Sequence, residues 1–91
     1  MRMTLTEARK KYIGKKFHLK EDVPLHYKYD YGSGVPYAYI PAGLEGTLTA
    51  ITSNSYVLDG KVITYFTWRI DIPNCDKKWF TTHQIEPVQE A

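Results

Sequence analysis

The chain has 91 residues, with twelve Lys or Arg, ten Asp or Glu, a formal charge of +2, thirteen aromatic side chains and a single cysteine. At this length one domain, residues 1–91, buries roughly 60% of the surface that its unfolded form exposes, so the core must be compact and aromatic. One cysteine excludes an internal disulfide and suits a reducing compartment, and no apolar run approaches the ~20 residues of a membrane helix. Met1 to Met3 lead into a polar helix rather than a signal peptide, which sets the cytoplasm as the expected location.

Thr4-Leu5-Thr6-Glu7 has capping-box spacing, and Leu5, Ala8 and Tyr12 recur at helical intervals up to Gly14, predicting a short helix over 4–13. The charge is lopsided at this end. Residues 1–20 hold seven bases and one acid, the remainder five bases and nine acids. Arg9, Lys10, Lys11, Lys15 and Lys16 form the set suited to phosphate contacts, and a solvated helix face is the plainer reading of the same residues.

Lys16-Phe17-His18-Leu19-Lys20 alternates as a half-buried strand, with Phe17 and Leu19 inward. From Leu25 onward a second alternation places Leu25, Tyr27, Tyr29 and Tyr31 on one face. After Gly32-Ser33-Gly34, Val35, Tyr37 and Tyr39 repeat it. The spacing predicts a long projecting hairpin arm over 21–44, with its tyrosines meeting across the two strands and at least two of them exposed. Such rings are the candidate protein-binding residues: Tyr27, Tyr29, Tyr31, Tyr37 and Tyr39 offer area and a hydroxyl at low entropy cost.

Asp59-Gly60 is the strongest hairpin turn, setting Leu58 against Lys61 and Val57 against Val62. An uninterrupted register places Ile51 opposite Trp68. A bulge at Ser53-Asn54-Ser55 would instead place Ala50 there and bring Leu48 opposite Ile70. Val62, Phe66, Trp68, Ile70 and Ile72 share a face expected to enter the core. Pro73-Asn74-Cys75-Asp76 reads as a turn, Trp79-Phe80 as a strand, Thr81 to Gln84 as a single helical turn, and Ile85-Glu86-Pro87 as the last strand.

Two of these segments resemble Src homology 3 (SH3) domains. Tyr27-Lys28-Tyr29-Asp30-Tyr31 is similar to the Ala-Leu-Tyr-Asp-Tyr motif of their long loop, and Trp79-Phe80-Thr81-Thr82-His83-Gln84-Ile85 to their Trp-Phe-Pro-Ser-Asn-Tyr-Val closing segment, in the same order. The resemblance implies a mainly β fold: a small SH3-like five-stranded barrel over 15–88 with a long projecting hairpin and the short N-terminal helix. Polyproline recognition does not carry over, because Thr81 and Gln84 replace the proline and tyrosine, and no tryptophan opens the central strand.

Catalytic and metal chemistry finds little support. His18, His26, His83 and Cys75 lack the paired spacing of zinc ligands, and Gly32-Ser33-Gly34 lacks the lysine and helix of a phosphate loop. The sequence therefore predicts a non-enzymatic module without metal or cofactor, monomeric or weakly dimeric, that binds another protein or, as the alternative, nucleic acid.

Overall fold

A computed structural model describes residues 3–26 and 35–89. Its elements are helix α1 (Leu5–Tyr12), strands β1 (Lys16–Leu19), β2 (Val23–Leu25), β3 (Ala38–Ile40), β4 (Glu45–Leu58), β5 (Lys61–Asp71) and β6 (Trp79–Thr81), a 3-10 turn (Thr82–Gln84) and β7 (Ile85–Pro87). The fold is mainly β with one short helix. Five strands form a sheet in the order β6-β5-β4-β1-β7, and β2 pairs with β3 as a separate two-stranded sheet. The arm segment with Tyr27, Tyr29, Tyr31 and the Gly32–Gly34 turn lies outside the described residues.

The helix begins as its cap dictates. Thr4 Oγ1 accepts from the Glu7 amide at 3.1 Å and donates to the Glu7 carboxylate at 3.1 Å, satisfying one of the four free amides of the first turn. Gly14, at φ +88°, turns the chain out of the helix. Its amide then donates to the Leu48 carbonyl and the Leu48 amide donates to Lys15, which ties the helix exit to β4.

Phe17 and Leu19 are buried on β1, which pairs antiparallel with both β4 and β7. On its outer face His18 Nε2 lies 2.6 Å from Glu86 Oε1, the residue directly opposite on β7. The hairpin turn follows the sequence closely. Asp59 and Gly60 have φ of +51° and +75°, and Leu58 pairs with Lys61.

Pairing between β4 and β5 is regular from Leu58 back to Ala50, so Ile51 faces Trp68, yet Leu48 also faces Ile70 because Thr49 is the extra residue of a bulge. The bulge therefore lies at Thr49 and not at Ser53-Asn54-Ser55. Those three polar residues need no break: the Asn54 side-chain amide donates to the Thr67 hydroxyl at 2.8 Å across the strands, inside a regular ladder.

The core comprises Phe17, Leu19, Val23, Ile40, Leu48, Ile51, Trp68, Ile70, Ile72, Phe80 and Ile85, with Ala8 of the helix. The expected core face of β5 is only partly inside: Val62 is 71% exposed and Phe66 half-buried. The cause is strand length. β1 pairs with β4 only at 45–47 and β6 with β5 only at 67–69, so the ribbon 52–66 runs beyond its neighbours. In the described part of the arm Val23 pairs with Ile40 and Leu25 with Ala38, and burying Val23 and Ile40 fixes the register. Tyr37 and Tyr39 are exposed, in line with the expectation that at least two of the tyrosines would be.

Gly46 has no room for a side chain, since a Cβ there would lie 2.5 Å from the Asp71 carbonyl oxygen and 2.8 Å from Ile70. Backbone cannot yield as a side-chain tip can. Gly46→Ala is therefore expected to destabilise the protein by about 1–3 kcal/mol, as overpacking does, measured as a fall in the urea midpoint.

Candidate functional site

Three surfaces carry the side chains that the sequence singles out or the fold brings together. The first lies on the outer face of β3. Tyr37 and Tyr39 are 54% and 59% exposed, and with Leu25, Pro41 and Leu44 they line a groove of about 320 Å³ closed on the far side by the turn Pro73 to Lys77. The backbone holds this geometry: the Tyr37 amide donates to the Leu25 carbonyl at 2.9 Å, and the Asp22 carboxylate accepts from the Ala42 amide at 2.9 Å, fixing the base of the arm. Asn74 takes φ +61° at the tip of the facing turn, a conformation asparagine tolerates better than most residues. Of the five predicted tyrosines, the structure places Tyr37 and Tyr39 together on this rim.

The second surface is the basic end. Arg9 is exposed but anchored: its Nε and Nη2 both donate to the Ile51 carbonyl, at 3.2 and 3.0 Å. Lys11 Nζ sits 5.2 Å from the centre of the Tyr12 ring. Lys10, Lys15 and Lys16 are exposed. The five bases are thus divided between holding the helix to β4 and facing water.

The third surface was not evident in the sequence. Tyr12, Phe17, Phe66 and Trp68 form a chain of ring contacts with centroids 5.4 to 6.0 Å apart, mostly edge-to-face. Beside them lies a groove of about 290 Å³ that Met3 and Ile85 also line. The Trp68 indole N–H donates to Thr82 Oγ1 at 2.9 Å, which fixes the ring and the 3-10 turn against each other. Four separate segments of chain contribute, so no local motif announces it.

The remaining titratable residues are dispersed. Among the described residues no three His, Cys, Asp or Glu side chains gather as a metal site would require. Cys75 is half-buried, with its thiol 3.5 Å from the Lys77 carbonyl. Among the described residues no helix is long and apolar enough to cross a membrane. The chain matches no family model, no curated protein and no solved structure.

The two roles of the basic residues separate by mutation. Arg9→Ala removes both donors from the Ile51 carbonyl and is expected to cost about 1–2 kcal/mol, whereas Lys10→Ala should stay within about 0.5 kcal/mol, both measured by urea unfolding. Equal effects would show that the guanidinium contributes nothing to holding the helix.

Proposed function

We propose that this chain is a non-catalytic protein-binding module of SH3-like topology, working in the cytoplasm as a monomer or weak homodimer, with Tyr37 and Tyr39 at the centre of its contact surface. The topology is supported by the strand order β6-β5-β4-β1-β7, by the hairpin inserted between β1 and β4, and by the 3-10 turn that links the two edge strands. An SH3-like barrel is that sheet rolled until its edges approach. Fold alone assigns no ligand, since barrels of this kind host unrelated partners.

The observation that carries the function is the exposure of Tyr37 and Tyr39 at the rim of an apolar groove. Tyrosine is enriched in protein interfaces because a rigid ring and one hydroxyl give area and direction with little loss of rotamer freedom. The groove floor is Leu25, Pro41 and Ile40, while Asp76 and Lys77 stand at its far wall with opposite charges. That combination favours a polypeptide over a polyanion. Nucleic-acid binding through Arg9, Lys10, Lys11, Lys15 and Lys16 would use an Arg9 that already commits two of its donors to the Ile51 carbonyl.

Affinity capture from source-cell lysate by the immobilised chain tests this reading. The expected result is a protein retained after nuclease treatment and lost, at least tenfold, with Tyr39→Ala or Tyr37→Ala. Its retention should change little between low and moderate salt. A partner released by nuclease, with a steep inverse dependence on salt, would assign the binding to phosphate contacts and overturn the proposal.

A further inference from the structure

From the ribbon 52–66 we infer a second binding site: the edge of β5 from Val62 to Phe66, which pairs with no other strand among the described residues, accepts an extended peptide as an added strand. The partner segment has apolar residues at alternate positions and no charge except an acidic residue at its C-terminal end.

The edge is identified by register. In a two-residue hairpin the pair flanking the turn is hydrogen-bonded, so Leu58 and Lys61 bond to each other and the next pair, Val57 and Val62, directs its amides and carbonyls outward. Alternation carries this along both strands. On β4 the outward residues are Ser53, Ser55, Val57 and, further back, Ile51, whose carbonyl accepts from Arg9, as the parity requires. On β5 they are Val62, Thr64, Phe66 and Trp68. Trp68 is taken by β6, which pairs with β5 from Thr67 to Arg69 and then leaves at Thr82. Val62, Thr64 and Phe66 therefore present a row of backbone donors and acceptors in line with the end of β6.

That edge borders a walled space. A concavity of about 640 Å³ runs along Val62 to Phe66, bounded by Met3 and by Thr82 where the 3-10 turn begins. It adjoins the aromatic groove through Met3, Phe66 and Thr82, which line both. A strand laid here would send alternate side chains over Phe66 toward Trp68, and the others onto the face of Ile63 and Tyr65. A two-stranded ribbon is marginal in water, and a third strand is what stabilises it.

The chemistry of the lining selects the occupant. None of its residues is charged, so a polyanion or a basic peptide finds no complement along it. Among the described residues the cation at its turn end is Lys61. A peptide antiparallel to β5 starts near Thr82 and finishes opposite Lys61, which places its acidic residue at its C-terminal end. A second copy of this chain fits less well. Two-fold pairing centred on Thr64 sets the second copy's Lys61 opposite Thr67, where Thr81 already sits.

Selection of a random octapeptide library displayed on phage against the full chain tests the site. Enriched sequences are expected to alternate apolar residues and to carry Asp or Glu toward the C-terminal end. Binding of the synthetic winner should fall at least tenfold with Thr64→Pro, which removes an outward amide that the ladder with β4 does not use, and persist with Tyr39→Ala. Methylating alternate peptide amides should abolish it, an arm that needs no variant of the protein. No enrichment, enrichment of proline-rich or basic sequences, or binding lost with Tyr39→Ala and kept with Thr64→Pro overturns the assignment. So does concentration-dependent dimerisation abolished by Thr64→Pro, which would give the edge to a second copy.

Discussion

The structure depends on the extra residue at Thr49. Leu48 and Ile51 are three positions apart on one strand and both are buried, which strict alternation forbids. The bulge absorbs Thr49, so the first part of β4 can present Gly46 and Leu48 to the core beneath β1, and the second part can present Ile51 to Trp68. Bulges bend the strand that carries them and increase its twist, which is what one long strand needs to serve two differently oriented neighbours. Leu48 is the hub of this arrangement. It pairs with Ile70 on one side and exchanges backbone bonds with Gly14 and Lys15 on the other, so the helix exit, β4 and β5 are registered at a single residue. Where the sheet is tightest, at Gly46 against Asp71, only glycine fits.

Arg9 continues the same logic along the edge of β4. Past Leu48 that edge has no strand beside it among the described residues, and a half-buried carbonyl without a donor costs free energy comparable to a lost hydrogen bond. The guanidinium supplies two donors to Ile51 from the helix above. A residue that looks from the sequence like part of a phosphate-binding face is thereby drawn into holding the helix to the sheet. Tyr12 works from the same helix, packing edge-on against Phe17 and Trp68.

Much of this was legible in the sequence wherever the signal is local. Thr4 with Glu7 marks the helix start, Phe17 and Leu19 mark a half-buried strand, Asp59-Gly60 marks the hairpin, and the run from Trp79 to Pro87 gives strand, single turn and strand. Each rests on the conformational preference of a few adjacent residues. What was not legible depends on where neighbouring strands stop. Val62 belongs by pattern with Trp68 and Ile70, but among the described residues no strand reaches far enough to cover it, and nothing in Val62 or its neighbours records the length of β1 or β6. The position of the bulge is open in the sequence for a related reason: small polar residues at 53–55 look like a break, while the inward demands of Leu48 and Ile51 that set it at Thr49 are tertiary. For the candidate site, the exposed tyrosine rim could be anticipated from composition and alternation, whereas the aromatic trough could not, because its walls come from four stretches of chain.

The two proposed surfaces sit at opposite ends of β5, one beside the turn that follows Ile72 and one beside Val62 to Phe66, roughly 30 Å apart along the strand at about 3.3 Å per residue. They also work by different physics. The tyrosine rim offers side chains whose hydroxyls and ring faces adapt to the shape of a partner, so its selectivity lies in surface fit. The ribbon edge offers backbone groups at fixed spacing, which any extended chain can meet, and leaves discrimination to the alternate side chains over Phe66 and Trp68 and to the charge of Lys61. Neither surface depends on the net charge of +2. The basic residues are concentrated in the helix and the first strand, where one of them is already committed to the fold. Both proposals therefore rest on short-range contact rather than on long-range polar attraction.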